Sequence, residues 1–383
     1  MFRRDLLRAL MATPLAGWLK AWMRPVVGSA AIEGPNAAVI YRKSFGWAEA
    51  LRPEDSERLR KAATIAIDDE HVVALIRQAR PVLEAIREAA PIDQCRWGIE
   101  TVTSDDLGKG HLSVSSVNVI RVACLSARRH ARSGRSVEAL DDVFAGLTLA
   151  HRVGTGGVRF ARLLECGGEV PAFQTLGRIL PGLDRAALDD LSRRLDALPP
   201  PEPASATIGP ESRFILGSLR TKLMSTGPVI EDAEWGDLGF EGEDAAVLKR
   251  LTSGDRDKLL AHLESTGRAF AALARRLDLP RPACRAALDE FARAERLTHP
   301  IAAGLVESAW SARHVVDRMR AMRSMLHAGV VLVRDGEAAF RAVSDPFGSG
   351  PFGLERRGKG HLIRSAINDG GKPEVSLEIG DAD

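Results

Sequence analysis

Apolar residues recur at helical spacing along most of this chain. Val72, Leu75, Ile76, Ala79, Leu83 and Ile86 follow a 3.6-residue period behind a cap at Asp68 or Asp69, and Pro81 divides that segment. Residues 91–110 read as a loop. A second helix is predicted from about residue 111 to Arg132, and a third opens at Ala139 and Leu140 and continues through Val143 and Leu147, with Gly134 at the turn between them. Four prolines within residues 199–203 stop the helical pattern. It resumes with Leu259, Leu260, Leu263, Phe270, Leu273 and Leu277 and pauses at Pro280 and Pro282. A long helix over residues 301–327 follows, with Leu305, Ala309, Val316, Met319, Met322 and Leu326 on one side; this methionine stripe reads as core. After Asp345 and Pro346 the period falls to two, clearest where Val375, Leu377 and Ile379 alternate with Glu374, Ser376 and Glu378.

The predicted fold is mainly α, an irregular helical-hairpin array with a small C-terminal antiparallel β minidomain. The stretch over residues 127–150 resembles the middle of a tetratricopeptide repeat, in which small residues let two antiparallel helices approach closely. No 34-residue period extends it along the chain. Boundaries fall at 1–34 (a leader or membrane-proximal helix), 35–198 (helical hairpins), 199–212 (a Pro-rich linker), 213–342 (a second helical region) and 343–383 (a β-rich tail). Seven acids over residues 231–244, with three glycines, read as a solvated acidic loop.

The 383 residues are 45% hydrophobic but only 5% aromatic, with one tyrosine, a composition that suits long amphipathic helices. With 53 basic and 51 acidic side chains the net charge is +2, so no extended nucleic-acid footprint is expected. Cys95, Cys124, Cys166 and Cys284 lack metal-type spacing and read as small buried residues, although an exported chain permits three disulfide connectivities.

The N-terminus, "MFRRDLLRALMATPLAGWLKAWMRP", has an uncharged stretch too short to span a bilayer but long enough for a signal peptide. Arg3 and Arg4 stand in a twin-arginine-like context, and Ser29, Ala30 and Ala31 are small residues of the kind cleavage sites use. Alternatively Leu7, Met11, Leu15, Trp18 and Trp22 form the apolar face of an interfacial helix.

Local chemistry motifs are sparse. "GKGHL" occurs at residues 108–112 and 358–362, yet neither copy has the spacing or the hydroxyl of a P-loop; the first reads as a turn before a helix and the second as a hairpin turn. "GTGG" at residues 154–157 follows a helix rather than a strand and reads as a helix terminator. The candidate catalytic set is Glu307, His314 and Asp317, which helical spacing puts near one face, where a carboxylate can orient an imidazole for acid–base or metal chemistry. The competing reading is an ion-pair set with Arg313 and Arg318.

"NAAVIY" (36–41), "CRWGI" (95–99), the hairpin through Gly134, "LDALPP" (195–200), Asp345-Pro346-Phe347 and Asn368-Asp369-Gly370-Gly371 occur in an order similar to that of a family of uncharacterised planctomycete-type cell-envelope proteins. The tail also resembles that of type II secretion major pseudopilins. The resemblance implies an exported or anchored helical protein with no established activity. From the pseudopilin tail it implies a calcium loop, whose matching positions are Asn368 and Asp369 with Asp381; Asn at 368 and the nearby Lys372 depart from that pattern. The leading expectation is therefore a cell-envelope interaction or scaffold protein with a protein partner, peripheral membrane contact through its N-terminus and no catalytic activity. The alternatives are a hydrolase-type enzyme whose site is assembled between helices and a cytosolic helical regulator.

Overall fold

Asn36 starts the first helix by turning its side chain onto the backbone: Oδ1 accepts from Ala38 N at 3.2 Å and from Arg96 N at 2.9 Å, and Nδ2 donates to Arg96 O at 2.8 Å. The computed structural model describes residues 35–97, 114–155, 157–238, 240, 242–367 and 375–380. The N-terminal segment with both its readings, the first "GKGHL" and the calcium positions Asn368, Asp369 and Asp381 lie outside the described residues.

Helices α1 (Ala37–Glu49) and α2 (Pro53–Arg60) lead to α3 (Glu70–Gln78) and α4 (Arg80–Ala89). Asp69 caps α3 through the amides of His71 and Val72, and Pro81 sits in the first turn of α4, so the predicted division is present. The central layer is α5 (Val114–Arg132), α6 (Ser136–Gly154) and α7 (Arg159–Ile179). Gly134 turns the α5–α6 hairpin at φ 72°, a conformation that costs glycine nothing. Helix α5 is buried at every residue from 116 to 120 and from 122 to 127, as expected of a helix surrounded by others. A 3₁₀ turn (Leu180–Gly182) and α8 (Arg185–Ala197) complete this part.

After the prolines come a 3₁₀ turn (Ala204–Thr207), α9 (Ile208–Leu223), α10 (Asp232–Asp237), α11 (Gly242–Thr252), α12 (Arg256–Leu277), α13 (Arg281–Glu295) and α14 (Pro300–Gly304). The acidic stretch is thus not a solvated loop. Trp235, Leu238 and Phe240 are buried, and the Glu234 carboxylate takes the N–H of Glu231 at 2.7 Å, so apolar anchors and a local cap turn it into a short helix. Helix α15 (Val306–Asp335) begins five residues later than predicted and ends eight residues later, followed by α16 (Glu337–Phe340).

Strands β1 (Gly353–Arg357), β2 (Gly360–Arg364) and β3 (Ser376–Ile379) form an antiparallel sheet in the order β1-β2-β3. The second "GKGHL" supplies the β1–β2 turn, with Gly358 at φ 53°. Leu377 and Ile379 on β3 are buried against notches at Gly177 of α7 and Gly329 of α15; a Cβ on Gly177 would lie 3.2 Å from Leu377 Cδ1. The Gly380 amide donates to Gly177 O at 3.0 Å, joining the sheet to α7.

The apolar interior forms two clusters. One draws on residues 37–198 and 319–379, the other on residues 208–309. Helix α15 serves both, through Val306 and Ala309 in the second and Met319, Met322, Met325 and Leu326 in the first. Among the described residues no helix is long and apolar enough to cross a membrane.

Candidate functional site

The face of α15 that carries Glu307, Trp310, His314 and Asp317 lies on α13, where Arg281 and Arg285 stand one turn apart. Arg281 Nη1 donates to Asp317 Oδ2 at 2.6 Å and its Nη2 is 3.1 Å from His314 Nδ1. Arg313 Nε donates to both Asp317 oxygens at 3.0 and 2.9 Å, and its Nη1 donates to Leu279 O at 3.0 Å, beyond the end of α12. Glu307 is held separately by both Nη groups of Arg285 at 3.2 and 2.8 Å. The two guanidiniums lie 4.9 and 5.7 Å from the Trp310 ring centre. Asp317 is the buried anion between two arginines, and the Arg281 guanidinium also reaches the His314 imidazole. Helical spacing brings the three residues to one face, but α13 divides them into an inter-helix ionic clamp.

A second polar group surrounds a small cleft where the end of α6, α7, the segment after α8 and α15 meet. His151, Glu169 and Arg323 line it together with Leu147, Phe173 and Met319. His151 Nδ1 is 3.2 Å from Glu165 Oε1, and its Nε2 is 3.2 Å from Thr155 Oγ1. Glu165 is also paired with Arg162, which is buried and reaches Glu202 as well. The "GTGG" segment makes this possible. Helix α6 ends at Gly154, whose missing side chain leaves room for Glu165; a Cβ there would lie 2.7 Å from Glu165 Cβ.

Glu169, one helical turn beyond Glu165, is half-buried, and burial first and the Glu165 charge second push its carboxyl up to about 8. It lines the cleft together with the His151 imidazole, and its environment favours the protonated carboxyl. Arg323 is committed elsewhere, donating to the carbonyls of Leu195, Leu198 and Pro199 at 2.6, 2.8 and 2.7 Å and so capping α8. The cleft can donate and accept a proton, but it has room for only about one or two waters.

A third group joins distant parts of the sequence. Ser265 on α12 is 3.1 Å from His299 Nε2, and His299 Nδ1 is 2.7 Å from Glu295 Oε2. No local motif connects Ser265 to His299, which lie 34 residues apart. The Glu295-to-His299 spacing of four was the readable part of this group. For the cleft, the signal was two glutamates four apart, with Arg162 one turn before the first, among the apolar residues of helix α7.

The four cysteines are thiols, with Cys124, Cys166 and Cys284 buried and Cys95 half-buried. Among the described residues no group of three or more His, Cys, Asp or Glu side chains is placed to hold a metal ion. The fragments "NAAVIY" and "CRW" are contact partners, since Tyr41 and Phe45 stack on Trp97 at 6.1 and 5.9 Å, and Trp97 Nε1 donates to Arg152 O at 2.9 Å. No protein-family model, no curated protein and no solved structure matches this chain.

Proposed function

We propose that the protein is a cell-envelope helical scaffold that presents two bundles in a fixed relation to a protein partner. The observation supporting this reading is α15, whose single run of 30 residues enters both apolar clusters. A bend between the bundles would have to break that helix or pull Asp317 from its two arginines. The tetratricopeptide-like character of the α5–α6 hairpin, the export-type leader, the envelope-family resemblance and a calcium-holding tail belong to the same proposal. In-cell crosslinking after fractionation tests it: the chain is expected in the envelope fraction, joined to a protein partner in constant ratio. A full-length chain in the cytosol, crosslinked to nothing, would overturn it.

A second reading, a hydrolase-type enzyme, is favoured by the cleft, where an imidazole held by Glu165 stands with the neutral acid Glu169. Its test is a hydrolase substrate panel with Glu169→Gln as control. Turnover reduced about 100-fold in the variant supports this reading, and absence of turnover by the unaltered chain rejects it.

A further inference from the structure

The Ser265, His299 and Glu295 group has a definite protonation logic. The Glu295 carboxylate accepts from His299 Nδ1 at 2.7 Å and from Thr298 Oγ1 at 2.9 Å, and the His299 hydrogen bond holds its carboxyl below the usual range. An ionised carboxylate only accepts, so Nδ1 carries the proton. In neutral His299 the lone pair then lies on Nε2, 3.1 Å from Ser265 Oγ, and only the serine hydroxyl can supply the hydrogen for that contact. The same hydroxyl is 2.8 Å from His262 O, so its proton is shared between a backbone acceptor and a basic nitrogen. The His262 ring stacks on His299 at 5.4 Å, and burial first and His299 second lower its own affinity for a proton, so it stays a neutral wall. Ser265, Glu295 and His299 are each half-buried, and Leu297, between the last two in sequence, is 57% exposed.

We infer that Ser265 is a base-activated hydroxyl that takes the acyl group of an activated ester. In the forward step the Ser265 Oγ to acyl-carbon bond forms, its proton passes to His299 Nε2, and the ester C–O bond breaks to release the alcohol, which receives that proton. Water then attacks the acyl-serine; its proton passes to His299 and on to Ser265 Oγ as the acid departs. Glu295 is a positioning residue, fixing the tautomer and stabilising the imidazolium. The substrate class follows from the backbone. Ser265 lies within α12, whose N–H groups point along the axis to carbonyls four residues earlier. They are not aimed at an oxyanion, so the site suits aryl and similarly activated esters with good leaving groups, and not amides.

The test uses the full chain with p-nitrophenyl acetate, acid quenching and peptide mass mapping. Acetyl is expected on Ser265, with p-nitrophenol released in step. His299→Gln is expected to slow acetylation about 100-fold, and Ser265→Ala to abolish the adduct. The charged and titratable groups around His299 are Glu295 and His262, with Arg276 beside the carboxylate. Glu295→Gln should slow acetylation of Ser265 about 10-fold and Glu295→Asp should restore part of the rate, a rescue that a purely structural residue would not show. Acetyl found only on lysines, or acetylation of Ser265 unchanged in His299→Gln, would overturn the inference. Because mapping is done on the unaltered chain, a misfolded variant cannot obscure the result.

Discussion

Asp317→Ala should cost the protein about 3 kcal/mol, the lower end of the roughly 3–5 kcal/mol typical for removing one partner of a buried pair. The carboxylate is 0% exposed, while Arg281 and Arg313 keep 15% and 12% of their side chains accessible. Truncation removes the acceptor for Arg281 Nη1 and for Arg313 Nε. The lower end applies because both cations keep other partners: Arg313 retains the carbonyls after α12, and Arg281 retains His314 and the Trp310 face. At about 2–4 °C per kcal/mol for a unit of 150–250 residues, the midpoint of thermal unfolding should fall by roughly 6–12 °C. Glu307→Ala is the matched control, since that side chain is 67% exposed and should cost less than about 1 kcal/mol. The assay is thermal and urea unfolding of both variants, followed by near-ultraviolet circular dichroism. A loss below about 1 kcal/mol for Asp317→Ala would refute the clamp, since that is the worth of an exposed pair.

Two further perturbations probe other parts of the molecule. Glu169 has its folded-state affinity for a proton raised, so its contribution is fully present below the ordinary carboxylate range near 4.5 and is lost as pH rises toward about 8. Glu169→Gln should therefore be the more stable protein at pH 8, by an amount on the order of a few kcal/mol, with the gap closing by pH 4.5; urea unfolding across that range checks this, and a constant gap would exclude it. Asp345→Ala leaves the Ser365 hydroxyl and the amides of Phe347 and Ala366 without their buried acceptor, so about 2–3 kcal/mol should be lost near the sheet. Faster hydrogen exchange in β2 and β3 is the expected readout, and unchanged protection there would contradict it.

Much of the helical plan was legible because each feature rests on a local rule. Asp69 has amides to cap, Pro81 cannot continue a helix from the preceding residue, and Gly134 and Gly358 take positive φ where other residues are strained. The failures occurred where distant contacts decide. The acids of residues 231–244 suggested a solvated loop, but Trp235, Leu238 and Phe240 are buried, and these anchors with the Glu234 cap form a short helix that leaves Glu231, Asp232 and Asp237 exposed on its surface. The apolar run after His327 is not amphipathic, yet α15 continues through it with Gly329 beneath the sheet, whose Ile379 Cγ1 would be 3.4 Å from a Cβ on Gly329. The same tertiary contact fixes the helix and seats the strand.

Reading the sites demanded more than spacing. Glu307, His314 and Asp317 do share a face of α15, and the ion pair of Asp317 with Arg313 follows from their spacing of four, but Arg281 and Arg285 come from another helix, which nothing local in the sequence indicates. The cleft offered a better signal, since an ionisable side chain is costly on the buried face of a helix. Glu165 and Glu169 stand one turn apart in α7, which buries Leu163, Leu164, Cys166, Ala172 and Phe173. Such a pair must be met by cations, by protons or by both, and the protein uses both: Arg162 neutralises Glu165, and Glu169 keeps its proton up to about pH 8. An acidic pair one turn apart among the buried residues of a helix therefore points to a polar site before its partners are known. A serine and a histidine 34 residues apart do so only after the helices have folded together.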